Sequence, residues 1–159
     1  MKHTNVQKIT FGGVIAALYV VLTLVANAFG LASGAIQVRI SEALTILPVF
    51  TAAAIPGLTV GCVLANLITG CLPWDIVFGS LGTLIGAAGT RLLRKKPLLA
   101  WIPPVISNMA IIPVVLQRVY GVPDAWWYLV LTVGAGEVIS CGVLGLLLYH
   151  SAKRFPQLK

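Results

Sequence analysis

Residues 43–70, ALTILPVFTAAAIPGLTVGCVLANLITG, form a stretch of 28 residues without a single charge. How this stretch is read decides how often the chain crosses a membrane. It is too short for two full spans, since each needs about 20 residues. Yet Pro48 and the Ile55, Pro56, Gly57 break interrupt it, and proline followed by glycine at mid-stretch favours a tight hairpin. The arms of that hairpin are residues 43–54 and 57–70.

The remaining apolar segments are residues 9–29, 74–90, 98–117 and 125–149, and charge fixes the parity of the whole. With the hairpin there are six spans and both termini share a side. That grouping sets Lys2, Lys8, Arg91, Arg94, Lys95, Lys96, Lys153, Arg154 and Lys159 against Arg39 and Arg118. With a single span, Lys2, Lys8 and Arg118 would oppose the other bases, and the strongest basic cluster would lie outside. The positive-inside rule selects six spans with both ends in the cytoplasm. The expected fold is therefore an all-α integral membrane protein of six transmembrane helices, with residues 1–159 as one domain.

Composition agrees. The chain is 58% hydrophobic and 9% charged, far below the usual quarter of charged residues in soluble domains. A soluble catalytic or ATPase domain does not fit, and no G-x-x-x-x-G-K-[ST] phosphate loop occurs, so ATP-driven work requires separate subunits. The net charge of +7 is a topology signal rather than a sign of nucleic-acid binding. Cys62, Cys71 and Cys141 lie in apolar runs, and His3 and His150 sit at opposite ends of the chain. Neither set reads as a metal centre, and no cofactor is expected. Residues 9–29 are long for a signal sequence and read as a retained helix.

Polar residues within apolar segments need a reason. Glu137 lies about 16 Å along its helix from Trp126, near the bilayer middle. An ionised carboxylate there costs about 2.5–3.5 kcal/mol on insertion scales, so it must face a partner, a wet cavity or a ligand. Small neighbours Gly134, Ser140 and Cys141 give it an inward face. Asn66 and Asn108 share its outer or middle depth, whereas Asn27 reads as an interhelical hydrogen-bonding residue. Ser41 fits a helix N-cap and Glu42 a first-turn acid. Gln37 and Arg39, alternating in Q-V-R, would project to one side of an extended strand and cover the cavity as a lid. Asp75 opens the fourth span from outside. Tryptophans and tyrosines mostly form interfacial belts, with Trp126 a candidate to stack on a flat ligand. Small pairs four apart, Gly12 with Ala16, Gly13 with Ala17 and Gly82 with Gly86, mark close helix contacts, and those on the first span would also suit a partner helix. An intramembrane enzyme is not expected, because no Ser/His/Asp set, metal cluster or catalytic dyad can be placed at common depth. The midplane glutamate leaves open a stand-alone proton-coupled transporter.

The motifs Q-V-R-I-S-E-A-L-T-I-L-P, G-C-V-L-A-N-L and D-I-V-F-G-S-L-G-T-L-I, with Asn108 and the glycine-rich approach to Glu137, resemble the QueT family of queuosine-precursor transporters over nearly the whole chain. That family is similar to the substrate-binding S components of energy-coupling-factor (ECF) transporters. The resemblance implies a plasma-membrane protein of a bacterium or archaeon that captures queuine or a 7-deazaguanine precursor from outside. It also implies partners: a coupling membrane protein and two ATP-binding-cassette ATPase subunits. The A-x-x-x-A docking pattern of related S components has its nearest match at Gly12 and Ala16 or Gly13 and Ala17. A guanine-like edge presents two adjacent N–H donors to a carboxylate, for which Glu137 or Glu42 is the candidate. A cationic aminomethyl substituent favours Asp75. The ring acceptors are left to Asn66, Asn108, Gln37 or Arg39. Another flat heterocycle, such as a pterin or pyrimidine, is the alternative substrate.

Overall fold

A computed structural model describes residues 5–31 and 36–154. Lys2, His3, Gly34 and Lys159 lie outside the described residues. The protein is 82% helical, with no strand among the described residues. Its elements are α1 (Asn5–Ala28), a 3₁₀ segment (Ile40–Val49), α2 (Ala54–Ile68), α3 (Pro73–Leu92), α4 (Ile102–Arg118), α5 (Trp126–Glu137) and α6 (Gly145–Ala152). A π-helical turn, Val138–Leu144, joins α5 to α6, so that residues 126–152 run as one pass.

Four of these passes are long and apolar enough to cross a membrane: Asn5–Ala28, Pro73–Lys95, Pro97–Arg118 and Trp126–Ala152. The other two are the arms of the charge-free stretch, 10 and 15 residues long. Passes consecutive in the chain alternate in direction, so α1 and α2 run parallel, with Gly57 against Gly12 and Gly61 against Ala16. Along α3 and α4, Gly82 faces Asn108, Gly86 faces Pro104 and Gly89 faces Pro103, a pairing that only antiparallel helices give.

The hairpin exists, but its turn falls at residues 50–53 rather than at the Pro-Gly pair. Pro56 sits in the first turn of α2, where a missing N–H costs no intrahelical bond. Gly57 is a packing glycine instead of a breaker, since a Cβ on it would meet the Gly12 carbonyl oxygen at 2.6 Å. The first arm is wound as a 3₁₀ helix, whose rise of about 2.0 Å per residue lets it reach about 20 Å, where an α-helix of the same length would reach about 15 Å. The arm thereby nearly matches α2 in length. Residues 41–46 and Pro48 are all buried, and the segment packs against α1, α2, α3, the π turn and α6. A helix enclosed on every side has no face to give to solvent, so its polar residues Ser41, Glu42 and Thr45 are buried with the rest.

One expectation for its start, Ser41 as the N-cap, is corrected, while Glu42 does lie in the first turn. The residue preceding the segment is Arg39, with no side-chain cap. Ser41 instead accepts a hydrogen bond from Thr23 at 2.8 Å, because it is drawn against α1. At the other end, Arg91 Nη1 donates to the Pro48 and Val49 carbonyls at 2.9 and 3.3 Å, satisfying terminal acceptors that the segment leaves open. Arg91→Ala is expected to lower stability by about 1.5–3 kcal/mol, the range for hydrogen bonds involving a charged group. Thermal unfolding in detergent measures this, and an unchanged midpoint would show that the cap contributes nothing.

Small residues set the helix spacing. Gly12 and Ala16 lie against α2, where a Cβ on Gly61 would reach the Ala16 Cα at 3.0 Å and the Tyr19 Cβ at 2.8 Å. Gly13, with nothing within 4 Å of a built Cβ, and Ala17 remain on an open face. The two small-residue pairs of the first helix therefore have different surroundings.

Candidate functional site

One end of the bundle, the outer one in the topology expected from charge, holds a cavity of about 320 Å³ whose walls include Gln37, Arg39, Asn66, Asp75 and Tyr120. It lies within the range of about 300–1,000 Å³ common for small-molecule sites. The strap before the 3₁₀ segment carries Gln37 and Arg39, both on the cavity wall. Backbone at Arg39 is extended, with φ −98° and ψ 99°, and Val38 N donates to the Leu31 carbonyl at 3.0 Å. Alternate residues of an extended chain point the same way. Gln37 and Arg39 therefore share a face, as their spacing predicts, although the strap is not a strand.

Asp75 sits in the first turn of α3, where the helix dipole favours an acid, and is 6% exposed. Tyr120 Oη donates to Asp75 Oδ2 at 2.7 Å and accepts from Leu72 N at 3.3 Å. Burial, reinforced by the Asp75 carboxylate, pushes the Tyr120 phenol up to about 12, so it stays a donor at neutral pH. Asn66 Nδ2 and Asp75 Oδ1 both border Gly79, lying 3.3 and 3.5 Å from where its Cβ would be. The glycine leaves room for an amide and a carboxylate side by side.

A second polar group lies deeper. Tyr19, one turn inward from the cavity-lining Thr23, donates its hydroxyl to Glu42 Oε1. Glu42, Glu137 and Cys141 bring their ligand atoms within 4.8 Å of one another. Cys141 Sγ lies 3.3 Å from Glu137 Oε2 and 3.6 Å from the Glu42 carbonyl oxygen, with Thr45 Oγ1 at 3.4 Å from the sulfur. The Asn108 side chain acts on the Glu137 carboxylate from the facing helix α4. Glu42 Oε2, though buried, has no hydrogen-bond partner among the described residues. Two carboxylates at this distance favour a donor or a positive charge between them, and such a set admits a cation as readily as the N–H groups of a ligand. Arg39 acts electrostatically on both Glu42 and Asp75, linking the two levels.

The residues singled out from sequence divide accordingly. Gln37, Arg39, Asn66 and Asp75 line the outer cavity, while Glu42, Asn108 and Glu137 form the buried group below it. Glu42 lies in the first turn of the 3₁₀ segment, as expected, and is only 1% exposed, because the Tyr19 hydroxyl and the enclosing helices hold it inside the bundle. Trp126 joins neither level. It begins α5 and is 52% exposed, the placement of an interfacial aromatic rather than a stacking wall. Asn27, Thr23 and Tyr120 line the cavity without having been singled out for it. Asn27 carries a depth signal in the sequence, but nothing there distinguishes Tyr120 from a belt residue. A smaller cavity of about 200 Å³, bordered by Asp124, Tyr128 and Thr132, shares Gln37, Leu116 and Val122 with the first.

The family model described as QueT transporter matches residues 9–154. Over 86 residues, or 54% of this chain, the sequence is 34% identical to the queuosine precursor transporter QueT of Lactococcus lactis subsp. cremoris. The match covers 50% of that relative's length. No solved structure gives a significant match. With a helical, largely apolar architecture and a polar cavity at one end of the bundle, the chain belongs to the QueT transporter family.

Proposed function

We propose that this protein is the substrate-binding membrane subunit of an ECF-type importer for queuosine precursors, receiving queuine or a 7-deazaguanine base in its outer cavity. The observation that carries this reading is the convergence of Asp75, Asn66, Gln37 and Arg39 on one cavity of small-molecule size. A carboxylate and two amides supply complementary partners for the donors and acceptors of a deazaguanine, and Asp75 suits a cationic aminomethyl group. Glu42 and Glu137 would accept the paired N–H donors of the guanine-like edge once the base passes below the strap. Saturable binding of a 7-deazaguanine base to the purified protein tests the reading. A folded protein that binds neither queuine nor an aminomethyl precursor would overturn it, and preference for a pterin or pyrimidine would reassign the substrate.

The deeper group gives a separate test. Glu137→Gln is expected to weaken binding by at least about 1 kcal/mol, through loss of a charge-assisted hydrogen bond. Unchanged affinity in a titration would return Glu137 to a packing role.

Energy would come from a coupling membrane protein and two ABC ATPase subunits, with both termini of this chain in the cytoplasm of a bacterium or archaeon. Docking is assigned to the open side of α1. Gly12, Gly13 and Ala16 border an apolar groove of about 540 Å³ with Pro56, Gly57 and Val60 of α2, and Ala17 extends the exposed face of the helix. Gly13→Trp is expected to abolish uptake while leaving substrate affinity within about twofold, as for independent distant sites. Uptake in cells and binding by the purified variant measure the two effects. The Glu42–Glu137 pair favours one alternative, a stand-alone proton-coupled transporter. Uptake into vesicles that an uncoupler abolishes and ATP does not drive would establish that alternative.

A further inference from the structure

The end of the bundle opposite the outer cavity carries a second concavity, of about 700 Å³ and opposite chemistry. Arg91 and Arg94 approach it from the end of α3, and Lys153 and Arg154 from the end of α6. Its apolar wall is made by Val49, Phe50 and Tyr149, whose two rings stack with centroids 5.4 Å apart. The described acids all lie elsewhere: Asp75 and Asp124 border the outer cavities, and Glu42 and Glu137 form the buried group between. Among the described residues no hydrogen bond or ion pair engages the side chains of Arg94, Lys153 or Arg154. Arg91 commits Nη1 to two carbonyls, and a guanidinium has further donors to offer.

Topology accounts for bases at this end of the helices, because positive residues cluster on one side of a membrane protein. It does not require four of them to converge on one concavity beside an aromatic wall. Converging like charges repel unless an anion lies among them. Arginine's forked donors match phosphate oxygens, while the apolar wall suits the glycerol and first acyl carbons attached to such a phosphate. Free inorganic phosphate would satisfy the charges and leave the apolar wall unused.

We infer that this concavity holds the phosphate group of an anionic membrane lipid. The full-length protein, stripped of lipid, would be titrated with phosphatidylglycerol, phosphatidylcholine or inorganic phosphate, with native mass spectrometry and thermal unfolding as readouts. Phosphatidylglycerol is expected to be retained preferentially and to raise the unfolding midpoint. The double variant Arg94→Gln/Arg154→Gln should retain it about tenfold less well, given the contribution of each base near an anionic headgroup. Lys95→Gln/Lys96→Gln removes the same charge from exposed positions outside the concavity and should retain lipid as the wild type does. Were the arginine variant not to fold, Lys153→Gln provides the same comparison. Equal retention of phosphatidylcholine, equal weakening by the lysine variant, or equal stabilisation by inorganic phosphate alone would overturn the inference.

Discussion

Asp75→Asn is expected to lower affinity for an aminomethyl 7-deazaguanine by about ten- to a hundredfold, a loss of about 1.5–3 kcal/mol for a charge-assisted hydrogen bond. Binding of 7-deazaguanine itself, without the amine, should fall by less than about threefold if only the charged contact is removed. The distinction follows from how Asp75 is held. One oxygen, Oδ2, is occupied by the Tyr120 hydroxyl at 2.7 Å, while Oδ1 takes no hydrogen bond from the described residues and lies beside Gly79 near the Asn66 amide. Asparagine preserves the shape and can still accept from Tyr120, so the variant isolates charge from geometry. Calorimetric titration with both ligands measures the pair of affinities. Equal losses for the two would make Asp75 a scaffold residue, and no loss for either would place the amine elsewhere.

The charges made the passes legible. Long intervals poor in charge, bounded by charged residues, mark where α1, α3, α4 and the α5–α6 pass run, the last interrupted only by Glu137, because ionised groups are costly in hydrocarbon. Parity reasoning also recovers the short hairpin between α1 and α3. The winding of its first arm was not legible. A 3₁₀ helix differs from an α-helix in rise and hydrogen bonding, neither of which a hydrophobic pattern encodes. Pro56 and Gly57 show a related ambiguity. The same dipeptide that breaks a chain in a loop fits the first turn of a helix, with the glycine serving a neighbouring backbone.

Depth was legible where contact was not. Glu137, placed in mid-pass by its distance from Trp126, is a buried residue at the end of α5, as the small residues Gly134, Ser140 and Cys141 around it suggest. Its position beside Glu42 depends on the 3₁₀ segment running through the bundle centre, and that is a tertiary fact. Arg39 and Gln37 were readable together because alternation in an extended chain is local geometry. Tyr120 was not, since its hydroxyl finds Asp75 from 45 positions away.

Gly136→Ala should destabilise the protein by about 1–3 kcal/mol, the usual cost of overpacking a close contact, and should weaken substrate binding at the same time. A Cβ on Gly136 would overlap the Gln37 carbonyl oxygen and lie 3.0 Å from the Gln37 carbonyl carbon. Both obstacles are backbone, so no rotamer change relieves them, and either α5 or the strap must move. Because the strap carries Gln37 and Arg39 on the cavity wall, its displacement also misplaces two of the proposed ligand contacts. An affinity loss of about tenfold or more is expected, comparable with one lost hydrogen bond. Gly13→Ala supplies the control, since its added Cβ meets nothing within 4 Å and alanine favours helix over glycine by about 1 kcal/mol. The two variants should therefore shift the unfolding midpoint in opposite directions, with only Gly136→Ala changing Kd. If Gly136→Ala instead matched the wild type in both measurements, the strap would not be seated on α5, and the roles given to Gln37 and Arg39 would fall with it.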